Sequence, residues 1–330
     1  MRGTYGSNQP YTQMAAHAMQ LWKEHEERWQ CRLFHQTGVL WMATADDDKY
    51  ERSSLPLLRE NGIKFEELSS AQMARRWPQI NFADVRWGIH EPDSGFLCAH
   101  AACRSVVSGF VAEGGEYKQA AVVHCKPETE YRSGLKLCDG SRLAADHYVF
   151  ACGPWLGKLF PETVGDLIQA TKQDVCFFGT PAGDDRFSEG KLPVWADHRD
   201  RFIYGIPAGD GRSFKIADDT RGPVFDPSSG ERMVNRETLE LVRDYLDLRF
   251  PALKGAPLVG TEVCQYENTP DNHFIIDRHP RAENVWIVGG GSGHGFKHGP
   301  VIGQMVAGLL MGGDQANAMF RLGRFGAATG

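Results

Sequence analysis

A short apolar run, Val285-Trp286-Ile287-Val288, leads directly into a glycine cluster, Gly289, Gly290, Gly291, Gly293 and Gly295. Helical apolar spacing then runs from Val301 to Met311. Four consecutive apolar residues before a turn read as a buried strand. A strand, a glycine-rich turn and a helix start predict an anion-binding corner, because unpaired backbone N–H groups point outward there. Glycines also let a bulky ligand come close to the backbone. An ordinary tight βα turn is the simpler alternative. Either way the C-terminal third belongs to an α/β unit.

The rest of the chain keeps the same alternation. Tyr11 to Trp29 has the spacing of an amphipathic helix, with Met14, Ala18, Leu21 and Trp22 on one side. Leu33 to Met42 is a strand candidate interrupted at Thr37-Gly38. Ser69-Ser70-Ala71-Gln72 carries a capping-box pattern for a short helix ending at Trp77-Pro78. Gly88 to Phe96 reads as strand then turn, and Ala99 to Glu113 as a small-residue helix. A β-like Ala120–His124 follows Gly114-Gly115. Asp139-Gly140 marks a hairpin leading to the strand Tyr148–Ala151. Short strands are expected at Val175–Gly179, Phe202–Ile206 and Ser213–Ile216, and a helix capped by Asn235 through Leu248. The pattern predicts a mixed α/β (α+β) fold of two interleaved domains with a β-rich middle section.

The charge balance narrows the partners. A formal net charge of −6 with 24% charged residues argues against a general nucleic-acid or anionic-membrane binder. Eight scattered cysteines (Cys31, Cys98, Cys103, Cys125, Cys138, Cys152, Cys176, Cys264) form no CxxC pair. They are expected to be reduced thiols in a cytoplasmic protein, with neither a disulfide framework nor a zinc site. His294 and His298 are four apart, but no carboxylate or cysteine completes a metal site beside them, and no metal is expected. The Val301–Met311 stretch is too short to span a bilayer.

The segments TEVCQYENTPDNHFIIDRHP and NVWIVGGGSGHGFKHGPVIG together resemble the monomeric sarcosine oxidase group of flavoprotein amine oxidases, within the D-amino-acid oxidase superfamily. RGTYG, FHQTGVL, RRWP, EPDSGFL, YVFACGPW, IYGIP with FKI, and the closing FRLGRF extend the likeness, in the family's order, over nearly the whole chain. The resemblance implies an FAD-binding Rossmann-like domain interleaved with an antiparallel-sheet substrate domain. The first is expected over residues 1–32, 97–170 and 272–330, the second over 33–96 and 171–271.

Residue by residue, the resemblance implies that Cys264 attaches FAD covalently through a thioether, with Tyr266 lining the pocket beside it. Lys297 and Arg2 match the cations that hold a substrate carboxylate, where two fixed charges orient an amino acid for hydride transfer. At the second position of the sequence, Arg2 is equally compatible with a frayed surface residue. Lys215 corresponds to the lysine that promotes reaction with O2, and a buried cation suits the charge that develops there. A solvent-facing strand lysine is its alternative. Tyr204 shares its pocket.

Val122 and Val123 fall at the adenine contact, and Gly153 and Trp155 at a second flavin-contact strand end. Gly290, Gly291, Gly293, His294 and Gly295 form the turn whose N–H groups face the flavin O2/N1 edge. Asp219 stands where sarcosine oxidases have a histidine, which points away from sarcosine toward a different or larger amine. The expected partners are a small amine or amino acid and O2, acting on a monomer. Flavin dehydrogenation with another acceptor and a non-catalytic subunit are the rival readings.

The family opens with a strand, GxGxxG and a helix that cradle the FAD pyrophosphate. GxGxxG occurs nowhere in these 330 residues. Met1 aligns about 45 residues into such an opening, so the expectation is an N-terminally truncated nucleotide-binding domain with weak FAD affinity.

Overall fold

The computed structural model describes residues 1–123, 134–209, 213–313 and 317–326. The strands are β1 (Phe34–His35), β2 (Val39–Ala43), β3 (Glu66–Ser69), β4 (Trp87–Glu91), β5 (Phe96–Leu97), β6 (Leu135–Lys136), β7 (Arg142–Leu143) and β8 (Tyr148–Phe150). They continue with β9 (Gln169–Phe178), β10 (Val194–His198), β11 (Phe202–Ile206), β12 (Phe214–Asp218), β13 (Leu258–Asn268), β14 (Ile275–Arg278) and β15 (Val285–Gly289). The first four helices are α1 (Gln9–Trp29), α2 (Lys49–Glu60), α3 (Ser70–Arg76) and α4 (Ala99–Ala112). The chain forms two compact units. Unit 1 contains Met1–Ser105, Gln173–Gly222 and Glu231–Cys264. Unit 2 contains Val106–Lys172, Pro223–Gly230 and Gln265–Gly330.

Unit 1 is organised by an eight-stranded sheet in the order β13-β9-β12-β11-β10-β2-β4-β3. Every residue of β2 is buried, because both faces of the sheet are covered. Leu40 and Met42 point to a core shared with Trp195, Phe214 and Ile216, against Val242, Tyr245 and Leu246 of the helix Arg236–Arg249. Trp41 and Ala43 point the other way, against Leu55 and Leu58 of α2 and Met19 of α1. This two-sided burial explains a continuous apolar run where a one-sided strand would alternate. Buried Arg249 ties the first face down, donating to Asp197 Oδ2 at 2.8 Å and to Asp84 Oδ1 at 2.7 Å.

The helix α2 escapes a hydrophobic-pattern reading. Its buried positions are Glu51, Ser54, Leu55 and Leu58, with helical spacing but half of them polar. Each polar one has a partner. Glu51 accepts the Trp41 indole N–H at 2.8 Å, and Ser54 Oγ accepts the Gly6 N–H at 2.8 Å. Ser69 caps α3 with the expected capping box. Asn235 does stand at the N-cap of the helix Arg236–Arg249, but its side chain makes no cap bond. Its backbone N–H instead donates to Asp174 Oδ2 at 2.9 Å. β9 is longer than its expected core at Val175–Gly179.

Unit 2 carries a three-stranded sheet in which β15 pairs antiparallel with β14 and parallel with β8. Tyr148, Phe150, Ile275, Val285 and Ile287 form its core with Leu156 and Phe160. β6 and β7 form the expected hairpin, with Gly140 at φ +84° in its turn. Val122 makes a bridge to Leu137; the His124 end of that expected strand lies outside the described residues. After β15 the helix does not start at the glycines. A short turn at Phe296–His298 intervenes, and the regular helix begins at Gly299.

Candidate active site

In unit 1, four rings and two cations share one face of the sheet. The register aligns Trp41, Ala196, Tyr204, Ala217 and Val175 in one row across five strands. Lys215 lies two residues from Ala217 and therefore on the same face. Its Nζ is 5.6 Å from the centroid of the Tyr204 ring. The Tyr204 oxygen holds the Lys215 ammonium above its ordinary value, against the burial that pulls it down; Cys264 and Glu262 act in the same direction as Tyr204. Burial pushes up the Tyr204 phenol. It pushes up the Cys264 thiol too, which Lys215 partly offsets. Lys215 is thus a half-buried cation beside a phenol and a thiol, not a solvent-facing strand lysine.

Arg2 joins the same face. Its guanidinium carbon is 4.5 Å from the Tyr5 ring centroid and 4.7 Å from that of Trp41, and it donates to the Thr4 carbonyl. Trp41 in turn stacks on Tyr50 at 5.3 Å. A cation between aromatic faces is favoured by their quadrupoles. Arg2 is not frayed, because its neighbours are anchored. The Gly3 and Thr4 N–H groups donate to the Glu91 carboxylate at 2.8 and 3.0 Å, and the Thr4 and Ser94 hydroxyls donate to it at 2.7 and 2.6 Å. Met1 closes the segment with backbone bonds to Gly95 in both directions. The charge of Asp219 acts on Arg2, Tyr5 and Tyr204.

The unit 2 candidates centre on the glycine turn. Gly290 and Gly293 have φ of +71° and +80°, a conformation natural to glycine. A Cβ at Gly293 would lie 2.4 Å from the Tyr266 ring, so the turn and Tyr266 fit only in the absence of a side chain. Lys297 Nζ donates to the His294 carbonyl at 3.2 Å. His294 stacks on Phe274 at 5.0 Å, and its Nε2 is 3.1 Å from the Asn272 carbonyl oxygen. Gly295 lies beyond the turn and receives the N–H of His298 at 2.9 Å. Gly153 (φ +55°) and Trp155 follow β8, where the Trp155 indole donates to Ser228 Oγ at 2.9 Å. The Val123 N–H is engaged by the Lys136 carbonyl at 3.1 Å.

The sequence reading passes over Glu267. The Gly291 N–H, expected to face a flavin, donates to Glu267 Oε1 at 3.1 Å. Among the described residues, Glu267 Oε2 is buried with no hydrogen-bond partner. Burial pushes this carboxyl up, with the Gly291 and Gly290 N–H groups opposing. Burial, and then Glu267, also raise the Cys152 thiol. An acid on a strand of mostly apolar and neutral residues was the available signal, hidden because alternation alone cannot show which glutamate faces a turn.

An orphan buried oxygen is costly unless something pairs with it. It is an acceptor waiting for a donor, and the pyrimidine edge of a flavin offers an N–H. Each unit by itself thus offers a group that suits a flavin: the Glu267 oxygen in unit 2, and in unit 1 the Lys215 cation, which suits a ring that becomes negative on reduction.

Residues 1–309 match the family described as FAD dependent oxidoreductase. The chain belongs to that family. It is 28% identical over 329 residues to a monomeric sarcosine oxidase from a Bacillus species, covering 98% of this chain and 84% of the relative. It is 30% identical to an N-methyl-L-tryptophan oxidase from Escherichia coli, covering 98% and 87% of the two chains. The human peroxisomal sarcosine oxidase is 28% identical over 96% of this chain and 82% of its own. Among solved structures, L-proline dehydrogenase from P. horikoshii superposes with a TM-score of 0.83 at 19% identity, covering 98% of this chain and 85% of that one. That similarity establishes the fold, a mixed α/β arrangement. The chain is thus an FAD-dependent oxidoreductase. Among the described residues no helix is long and apolar enough to cross a membrane.

Proposed function

We propose that this enzyme oxidises the C–N bond of a secondary amine, or of an N-alkyl or cyclic amino acid, and reduces O2 to H2O2. The observation that carries the reading is Lys215, a half-buried cation 5.6 Å from the Tyr204 ring centroid on one sheet face, with the Cys264 thiol acting on its charge. Bound FAD supplies the hydride acceptor and the electron path to oxygen. The chain's own residues supply orientation and charge.

Arg2, fixed between Tyr5 and Trp41, and Lys297 hold the substrate carboxylate. Tyr204 and Tyr266 line the substrate pocket. Cys264 tethers the flavin. Gly290, Gly291, Gly293, His294 and Gly295 cradle its ring, and Gly153, Trp155, Val122 and Val123 contact the remainder. Asp219 adds a negative charge near Arg2, which argues for an amine other than sarcosine. The enzyme acts as a monomer in the cytoplasm.

Substituting Lys215→Met tests the oxygen step. Removing one preorganised charge from a developing anion costs about 100- to 1000-fold. In stopped-flow measurements the reoxidation of reduced flavin should slow by that order, while anaerobic reduction by substrate changes far less. If reduced wild-type flavin itself reoxidises only slowly in O2, the oxidase reading fails and an acceptor other than O2 is required; if reoxidation is fast and unchanged in Lys215→Met, Lys215 is not the group that promotes it.

A further inference from the structure

Unit 1 holds a second chemical constellation, away from the row that carries Lys215. The antiparallel pair of β1 with β5 sets His35 opposite Phe96, and the next residue but one, Cys98, is locked by its N–H to the Leu33 carbonyl at 3.0 Å. Cys98 Sγ lies 3.2 Å from His35 Nε2. On the other side of the ring, His35 Nδ1 is 2.9 Å from both carboxylate oxygens of Glu189. Phe96 stacks on the imidazole at 4.6 Å with the planes 9° apart. His35 is buried at 2% exposure, Cys98 is only half-buried, and Glu189 also pairs with the exposed Arg32.

The geometry fixes the roles. A carboxylate can only accept, so Nδ1 carries the proton and donates it to Glu189, leaving the Nε2 lone pair toward the thiol. Nucleophile, base and orienting carboxylate are then in line and within hydrogen-bond reach. We propose that Cys98 is an activated thiol whose substrate is hydrogen peroxide.

Cys98 passes its proton to His35 Nε2, and the thiolate attacks one peroxide oxygen. The S–O bond forms as the O–O bond breaks. Sulfur is oxidised by two electrons and the peroxide is reduced. The departing hydroxide takes the proton from His35 and leaves as water. The net change is thiol plus peroxide to sulfenic acid plus water. No oxyanion pocket is required, since the only charge that develops on the leaving group is neutralised by the imidazolium. The step does not depend on the proposed oxidase chemistry, which would be only one source of peroxide.

The test treats the folded 330-residue chain, without amine substrate, with hydrogen peroxide. Sulfenic acid is trapped with dimedone and quantified by peptide mapping at every cysteine. Cys103 is exposed and serves as the internal reference. Cys98 should label about tenfold faster than Cys103, as an activated thiol does relative to an unassisted one. His35→Asn should bring Cys98 down to the reference rate, and Glu189→Gln should slow it by a smaller factor, with circular dichroism showing the native fold. If His35→Asn does not fold, Glu189→Gln decides alone. Labelling of Cys98 no faster than Cys103, or a rate that survives these substitutions in folded protein, overturns the proposal.

Discussion

Glu91 in unit 1 and Glu267 in unit 2 are both carboxylates withdrawn from water and set against glycine backbone, yet they are satisfied to different degrees. Glu91 receives four donors, two backbone and two hydroxyl. Among the described residues, Glu267 receives the Gly291 N–H on one oxygen and has no hydrogen-bond partner on the other. A saturated buried acid is a tie: it converts the loose opening residues into the rigid platform on which Arg2 sits. An unsaturated one withholds part of its bonding, and such a group in a folded protein is accounted for by a water, an ion, a ligand or a catalytic role. The contrast separates a carboxylate whose bonding is completed by folding within its unit from one whose bonding is not.

Three substitutions probe this contrast. Glu91→Ala should be the most damaging, because it strands several buried donors at once. The loss is on the order of 3–4 kcal/mol, measured as a lowered urea midpoint. A loss under about 1 kcal/mol would mean the segment is not tied through Glu91. Gly293→Ala should cost about 1–3 kcal/mol, since the backbone is left-handed there and the new methyl meets the Tyr266 ring. An unperturbed midpoint would show that the turn relaxes freely.

Glu267→Gln should have the smallest effect near neutral pH, within about 1 kcal/mol, but a diagnostic pH dependence. The folded-state pKa of Glu267 is raised, so the folded protein binds its proton more tightly than the unfolded chain does. That contribution is fully present below the unfolded value and is lost as pH rises through the folded value. The difference in stability between wild type and Glu267→Gln should therefore shift against the wild type from pH 4 upward. A pH-independent difference would place the carboxyl in an unperturbed setting. Adding FAD and repeating the comparison shows whether a ligand supplies the missing partner.

Much of the fold was legible because local rules and burial agreed. The capping box at Ser69, the apolar stripe of α1, the hairpin at Asp139-Gly140 and the buried run of β15 all follow from patterns of a few residues. α2 was not legible, since its buried face uses Glu51 and Ser54, whose partners Trp41 and Gly6 are remote in sequence. At Asn235 the N-cap position was legible but the side-chain cap bond was not made, and what holds the residue is Asp174, from a distant strand, through its backbone N–H.

The sequence by itself determined the family, through motifs dispersed over the whole chain, and named Lys215, Cys264, Lys297 and Arg2 as chemical residues. Only the tertiary structure decided their environments. Arg2 became a fixed cation because Glu91 and two aromatic rings close around it, and Lys215 became a half-buried one because sheet register put it on the same face as Tyr204. Glu267 and the Cys98–His35–Glu189 cluster appear only once strands distant in sequence are brought side by side. Burial and pairing are properties of neighbours in space, and a linear pattern does not contain them.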